Sequence, residues 1–381
     1  MQSELTIHDY IDQLFADKGT LLLTAQHLGI YDVDEQSTIS QIIDHLDWDY
    51  LQEVSFNTHP GDSTTSLTPQ DWNYYQQSQV PNDSCWANIN YYKLLPADLT
   101  VIEGSYGLSY VCSNIQIEAM PRIHIDAVTT TSKTLQSFYS MAKNVKTIDV
   151  SFIRCADITN LSSMFYGCAA LENIIWGDAP FFDHATNLSN MFENTRSLKQ
   201  IILPANLKHV TNLYKLCTNS AVELLDLSLC DLSNVTSIGY LFYDAHIVDN
   251  NTHPEVQYKI KIKANFPNPI DGQRAFNFYD YYYTHIYLDL SEMYVTSFSN
   301  TTNIFSQVYW FDGMDIRNWD VTSIGIPVSE WRKVLMDGWD DRKIIVRNQA
   351  QRQWFITQGI NRDTVNRQVV TVEEWEARNN G

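Results

Sequence analysis

The sequence predicts an α/β fold in which short parallel strands and short helices or turns stack into a solenoid. The main observation is a sequence motif, here called the phrase, that recurs between residues 145 and 245; in it a strand-like run precedes the tripeptide Thr-Asn-Leu or Thr-Ser-Ile. The last residue of this tripeptide is Leu161, Leu188, Leu213 and Ile238 in successive copies of the phrase, at intervals of 27, 25 and 25 residues. A fixed period of this length is the signature of a repeat architecture.

Each copy of the phrase has a strand part and an apolar part. The strand parts begin, in order, at Ile148, Ile174, Ile201 and Leu225. The apolar parts centre on Phe165, Phe192 and Phe242, and we expect them to be helical or tightly turned. One copy buries too little apolar surface to fold alone, so neighbouring copies must share their apolar faces and both ends of the stack need caps.

A column of asparagines accompanies the apolar positions. Asn160, Asn187 and Asn212 each come directly before the leucine of the phrase. A polar residue that recurs once per copy beside a core position must find hydrogen-bond partners. We therefore predict that these side chains bond to the backbone of the adjacent copy.

Four segments are predicted along the chain. Residues 1–50 carry short helical patterns and form a small head, which serves either as a cap or as a docking unit for a partner. Residues 51–120 form an aromatic- and turn-rich module of β or irregular structure. The solenoid occupies residues 121–328, and residues 329–381 form a C-terminal α/β cap.

Two parts of this layout depart from the central phrase. A strand is predicted from Tyr258, but the chain from Ile270 to Tyr283 reads as irregular and aromatic. In the cap, the patterns predict a helix from Ser329, a strand from Lys343, a helix over 348–358 and a strand from Arg367.

Composition limits the class of partner. The formal net charge is −20, which argues against binding nucleic acid or an anionic membrane through bulk electrostatics. The first ten residues lack the pattern of a secretory signal, and no apolar run is long enough for a membrane helix, so we expect no membrane insertion. The six cysteines form no Cys-x-x-Cys pair, and we expect buried thiols instead of disulfides or metal ligands.

The central copies also carry a family resemblance. The run Thr-Asn-Leu-Ser-Ser-Met-Phe-Tyr-Gly-Cys-Ala-Ala-Leu-Glu-Asn-Ile over residues 159–174 resembles the BspA-type, or treponemal-type, leucine-rich repeat, and Trp319-Asp-Val-Thr-Ser-Ile echoes a related form. The resemblance covers about residues 121–350, although Cys217 replaces a phenylalanine and 258–283 departs from the pattern. It implies a leucine-rich-repeat solenoid used for recognition in bacterial surface adhesins and some phage tail or baseplate proteins.

No catalytic or cofactor-binding motif accompanies the repeats. The sequence has no Gly-x-Ser-x-Gly, no P-loop, no Gly-x-Gly-x-x-Gly and no His-Glu-x-x-His, and its ten histidines show no metal-ligand spacing. We therefore expect no enzyme activity, no catalytic residue, no metal and no cofactor.

Aromatic residues give the candidate binding site. They cluster after residue 278, where the copies are irregular, and comprise Tyr281, Tyr282, Tyr283, Tyr287, Tyr309 and Trp310. Tyrosine and tryptophan offer large, rigid contact area with a polar tip, which suits glycans and proteins. The alternative interpretation is that these rings simply fill the wider turns.

The sequence-level hypothesis is a non-enzymatic recognition or structural component on the exterior of a phage virion, in its tail, baseplate or fibre. It would bind a host-surface glycan or protein, dock to other virion proteins through its N-terminal head, and be present as a homo-oligomer or in multiple copies. The alternative is a bacterial surface or secreted leucine-rich-repeat adhesin. Both rest on analogy at the level of the fold.

Overall fold

The computed structural model describes residues 133–204, 207–245, 257–278, 285–305, 311–335 and 341–379. Shorter described pieces are 34, 36–37, 41, 66–67, 98–101, 113, 120 and 122–125. The predicted head at 1–50 and the module at 51–120 therefore lie largely outside the described residues.

The described chain is a mixed α/β structure with many short strands and few helices. The strands are β1 Ser66–Leu67, β2 Asp98–Val101, β3 Arg122–His124, β4 Thr147–Asp149, β5 Asn173–Ile175, β6 Gln200–Ile202, β7 Leu224–Asp226, β8 Gln257–Phe266, β9 Ile270–Asp271, β10 His285–Val295, β11 Phe298–Asn300, β12 Phe311–Asp315, β13 Lys343–Val346 and β14 Val369–Thr371. The helices are a 3-10 turn at Pro180–Phe182, α1 Val328–Val334, α2 Gln349–Thr357, α3 Arg362–Gln368 and α4 Val372–Asn379.

The strand ladders of the described residues are all parallel. The largest sheet has the order β14-β13-β12-β10-β8-β7-β6, and β4-β5, β1-β2-β3 and β9-β11 form smaller sheets. Parallel pairing requires a crossover between consecutive strands, which the turn segments of the copies supply. The predicted α/β class with parallel strands is confirmed at this level.

Alternation along the strands explains their burial. In β4, β6 and β7 the middle residues Ile148, Ile201 and Leu225 are buried, whereas their neighbours face outward. In the longer β8, Ile260 and Ile262 are buried between outward-facing lysines. The four predicted strands of the repeat are confirmed as β4, β5, β6 and β7, and each begins one residue earlier than predicted.

The apolar part of each copy is a pair of tight turns, not a helix. In one copy the N–H groups of Leu161, Ser163 and Phe165 donate to carbonyls of the next copy at 2.9, 2.9 and 3.0 Å. The intervening N–H groups of Met164 and Tyr166 donate to carbonyls three residues earlier. Because half of the N–H groups point at the neighbouring copy, the segment cannot close an α-helical ladder.

The core is a set of columns that run from copy to copy. The predicted repeat positions Leu161, Phe165, Leu188, Phe192, Leu213, Ile238 and Phe242 are all fully buried. The rings of Tyr139, Phe165 and Phe192 stack in sequence with centroids 5.7 Å apart at both steps. Cys217 occupies the same column between Phe192 and Phe242, and burial raises the pKa of its thiol.

The cysteines of the described region are unbridged. Cys155, Cys168 and Cys217 are buried, and Cys230 is partly exposed. Burial raises the pKa of Cys168 to about 12, although a backbone hydrogen bond from Ala142 opposes the effect. These thiols therefore behave as small apolar side chains. Cys85 and Cys112 lie outside the described residues.

The asparagine column bonds differently from the prediction. Asn187 donates from Nδ2 to Oδ1 of Asn160 at 3.3 Å, and Asn212 donates likewise to Asn187 at 3.2 Å. Each Oδ1 also accepts the N–H two residues ahead in its own copy, as at Ser189. The bond to the neighbouring backbone is made instead by the preceding threonine, since Thr186 Oγ1 donates to the carbonyl of Thr159.

The segment 257–278 joins the stack, although its sequence departs from the phrase. Asp271 pairs with Ser237, and its Oδ1 accepts the N–H of Gln273 at 2.8 Å, as the asparagines do in earlier copies. The N–H of Phe242 then donates to the carbonyl of Ala275 at 2.9 Å. The prediction of irregular structure from Ile270 is therefore wrong up to residue 278, while residues 279–284 lie outside the described residues.

The C-terminal segment continues the large sheet through β13 and β14. The predicted helices at Ser329 and at 348–358 and the strand at Lys343 are confirmed. The strand predicted from Arg367 begins at Val369, because residues 362–368 form α3. Asn361 caps that helix by accepting from the N–H of Asp363, a signal that the sequence did contain.

Candidate recognition surface

The outward face of β7, β8 and β10 carries charges that neutralise one another. Lys259 lies 3.1 Å from Asp289, Lys263 lies 3.2 Å from Asp226, and Lys261 pairs with Glu292. Burial alone would raise the pKa of Asp289, but hydrogen bonds from Ser291 and Lys259 outweigh it and lower the pKa. This face therefore offers a ligand few unmatched charges.

Tyr287 is the one predicted binding residue that lies within the described residues. Its ring is half-buried on β10 under the Lys259 ammonium, whose Nζ is 5.6 Å from the ring centroid, and burial raises the pKa of its hydroxyl. The other predicted residues, Tyr281, Tyr282, Tyr283, Tyr309 and Trp310, lie outside the described residues.

A cleft opens where the parallel strands are interrupted between β5 and β6. No ladder joins these two fully described strands, and a cavity of about 210 Å³ lies between them. Trp176, Leu198 and Ile201 contribute to its lining. Ile175 and Ile202, at the ends of the two strands, are 44% and 51% exposed, which is unusual for isoleucine.

A cluster of aromatic and cationic side chains lies on the opposite side, over the turn segments. We define the tyrosine–cation patch as Tyr214, Lys215, Tyr240, Tyr243 and Arg274. The ring of Tyr240 lies 5.3 Å from that of Tyr214 and 5.3 Å from that of Tyr243. Lys215 Nζ and the Arg274 guanidinium carbon lie 5.9 and 5.5 Å from the Tyr240 centroid, within cation–π range.

Stacking of the turn segments brings these residues together. The N–H of Lys215 donates to the carbonyl of Gly239, and the N–H of Tyr240 donates to the carbonyl of Gln273, both at 2.8 Å. Asn212, Ser237 and Asp271 are equivalent residues of three consecutive copies. The residue three positions after each of them therefore lies beside its equivalent in the next copy. That position holds Lys215, Tyr240 and Arg274 in consecutive copies.

Sequence reasoning missed this patch, although a signal was present. At the positions of Tyr214 and Lys215 the two copies before the patch have small or amide side chains, including Ser163, Ser189 and Asn190, whereas the position of Tyr243 holds Tyr166 and Glu193. Tyrosine and lysine at outward positions of an otherwise regular copy do not serve the core. Such substitutions in regular copies are a better pointer to a site than aromatic residues in irregular ones.

The two cations of the patch have no carboxylate partner in the described part of the chain. Neither Lys215 nor Arg274 forms an ion pair there, in contrast to Lys259, Lys261 and Lys263 on the strand face. The Nε atom of Arg274 is buried and has no hydrogen-bond partner. A guanidinium without a matched anion is an unusual feature in a chain of net charge −20.

The surroundings of the patch are polar. Glu193 accepts a hydrogen bond from Asn190, and Asn219 donates to Asn194 in the neighbouring copy. Gln273, the residue before Arg274, is partly exposed. Burial, with a smaller contribution from neighbouring Tyr240, raises the pKa of the Tyr214 hydroxyl, so it stays protonated and can donate a hydrogen bond at neutral pH.

Comparison with known proteins gives one family match. The family described as "Mycoplasma protein of unknown function, DUF285" matches residues 132–254, about a third of the chain, which contain Tyr214, Lys215, Tyr240 and Tyr243. The match is compatible with BspA-type repeats and carries no activity. No curated protein and no solved structure matches. In the described part of the chain, no helix is long and apolar enough to cross a membrane.

Proposed function

We propose that this chain is a leucine-rich-repeat solenoid of the BspA type that acts in recognition without catalysis, and that its tyrosine–cation patch binds a saccharide of a host surface. The observation that carries the proposal is the row of half-buried rings at Tyr214, Tyr240 and Tyr243 on adjacent copies. The backbone bonds between copies hold these rings in place before a ligand arrives.

The chemistry of the patch suits a sugar. Tyrosine rings offer apolar surface for the C–H faces of a pyranose, and their hydroxyls can exchange hydrogen bonds with its hydroxyls. The side-chain amides of Gln273 and Asn219 lie along the same turn segments and add donors and acceptors. Lys215 and Arg274 add charge-assisted donors, which hydrogen-bond more strongly than neutral ones.

The biological setting in this proposal is the exterior of a phage virion, in the tail, baseplate or fibre, with the N-terminal head bound to other virion proteins. The resemblance of the copies to repeats of adhesins and phage tail proteins supports it. A bacterial surface or secreted adhesin remains the alternative and would use the same patch. Mass spectrometry of purified virions and of a bacterial surface fraction separates the two, because stoichiometric presence in one excludes the other setting.

A second candidate function is protein contact through the cleft between β5 and β6. Exposed Ile175 and Ile202 beside an open cavity favour an apolar side chain of a neighbouring virion protein at that point. Crosslinking in assembled particles from a photoreactive residue at position 202 should then capture a virion protein. Capture of none would remove this contact, and position 229 on another exposed leucine serves as the control.

A glycan array of the full chain tests the saccharide proposal. Wild type and the control variant Tyr294→Ala should bind the same saccharides, since Tyr294 is an exposed tyrosine on β10 away from the patch. The double variant Tyr214→Ala, Tyr240→Ala should lose at least about tenfold in affinity, as expected when stacking rings are removed. Unchanged binding by the folded double variant would move the site elsewhere.

A further inference from the structure

We infer that the tyrosine–cation patch selects a negatively charged saccharide, one that carries a carboxylate or another fixed anionic group. This inference rests on the proposed function and narrows its ligand class. It starts from whether the two cations form ion pairs with carboxylates. Lys215 and Arg274 are not matched by any carboxylate in the described part of the chain, although acidic residues outnumber basic ones by 45 to 25 overall.

The two cations lie beside the same ring, on the copies that flank the copy of Tyr240. Lys215 Nζ and the Arg274 guanidinium carbon each lie within 6 Å of the same ring centroid, that of Tyr240. Arg274 presents planar donors that match carboxylate geometry, and lysine supplies a point charge. A saccharide that lies over the Tyr240 ring would therefore meet these cations, and an anionic group on it would offset charge that no carboxylate of the described chain pairs with.

Glu193 and Asp271, two carboxylates whose charges act on Tyr214, do not fill this role. The carboxylate of Glu193 accepts a hydrogen bond from Asn190, and Asp271 Oδ1 accepts the N–H of Gln273 at 2.8 Å. Both are engaged within their own copy, and neither forms an ion pair with Lys215 or Arg274. Their charges weaken the local positive potential, so the preference for an anion depends on both cations together.

The composition of the patch favours an acidic saccharide over an acidic protein. Protein interfaces bury an apolar centre. The large hydrophobic side chains that are exposed in the described chain are Ile175, Ile202, Leu229 and Tyr294, and none belongs to the patch. Gln273 and Asn219, on the same turn segments, carry side-chain amides, which suit the many hydroxyls of a sugar.

Isothermal titration of the full chain tests the inference with oligogalacturonate and neutral galactose oligomers of equal length. Wild type should bind the acidic oligomer about tenfold or more tightly at low salt, and the preference should shrink as salt rises. The double variant Lys215→Gln, Arg274→Gln should bind both oligomers with similar affinity. The matched control Lys199→Gln, a lysine paired with Glu223 on the strand side, should keep the preference.

The outcomes separate this inference from the proposed function. Equal affinity of wild type for acidic and neutral oligomers would overturn the charge inference and leave saccharide recognition standing. Failure to bind any saccharide, here and on the array, would overturn both. Tighter binding of poly-glutamate than of the acidic oligomer would replace the saccharide by an acidic peptide, and circular dichroism of each variant verifies that it is folded.

Discussion

At the residue scale, the turn segments hold ordinary side chains in the left-handed region of the backbone. Ser163, Asn190, Lys215, Tyr240 and Arg274 have φ values between 51° and 60° at the same position of successive copies. This conformation costs a residue with a Cβ atom about 1–2 kcal/mol. After glycine, asparagine tolerates it best, so the bulky residues at the last three positions are retained against a conformational cost.

Replacing one of these residues by glycine should therefore stabilise the fold. Lys215→Gly should raise the free energy of unfolding in urea by about 1 kcal/mol, because glycine adopts a positive φ freely. The control Lys208→Gly, at an exposed lysine without a positive φ, should lower it. An equal loss of stability in the two variants would contradict this explanation.

The asparagine column allows a second prediction at this scale. Asn187→Ala should lower the free energy of unfolding by about 2 kcal/mol, because it removes the acceptor of the Ser189 N–H and of the Asn212 amide. Asn173→Ala, on the exposed edge of β5, should change it little. Urea denaturation measures both, and equal effects would show that the column is not a stabilising element.

At the element scale, the alternation of apolar residues and the repeat period were enough to predict the strands and the buried columns. The strands and the buried columns follow from apolar residues such as Ile148 and Leu161, whose burial the period alone indicates. The hydrogen-bond partner of Asn187 could not be predicted from the sequence, because an asparagine can bond either to the asparagine side chain or to the backbone of the neighbouring copy. Residues 257–278 looked irregular because Asp271 and Gly272 replace Asn-Leu, yet Asp271 accepts the same backbone bond.

The charges on the strand face make a pH-dependent prediction. The pKa of Asp289 is lowered in the folded protein, so its contribution to stability is present above the ordinary carboxyl pKa of about 4 and is lost as pH falls through the folded pKa. Asp289→Asn should cost about 1 kcal/mol at pH 7.

The cost of Asp289→Asn should shrink toward zero near pH 2, and urea denaturation at both pH values provides the comparison. Asp231→Asn, at a fully exposed carboxylate, is the control and should have a smaller effect at pH 7. A cost for the Asp289 variant that does not change with pH would show that its charge is irrelevant to the fold.

At the scale of the whole molecule, the two sides of the stacked copies are electrostatically different. The strand side is cross-linked by pairs such as Lys259 with Asp289, whereas the turn side leaves Lys215 and Arg274 without a carboxylate partner among the described residues. The patch draws on residues from 214 to 274, which only the stacking of copies brings together. For that reason sequence reasoning missed the patch, although the substitutions at its individual positions are visible in the sequence.

The most direct test of the proposed recognition surface is hydrogen–deuterium exchange of the full chain with and without a saccharide that it binds. We expect saccharide-dependent protection in residues 211–219, 236–245 and 271–277, because ligand contact should slow opening of these turn segments. Exchange in β8 and β10 should not change. Protection confined to β8 and β10, with the three turn segments unaffected, would contradict the assignment of the tyrosine–cation patch as the recognition site.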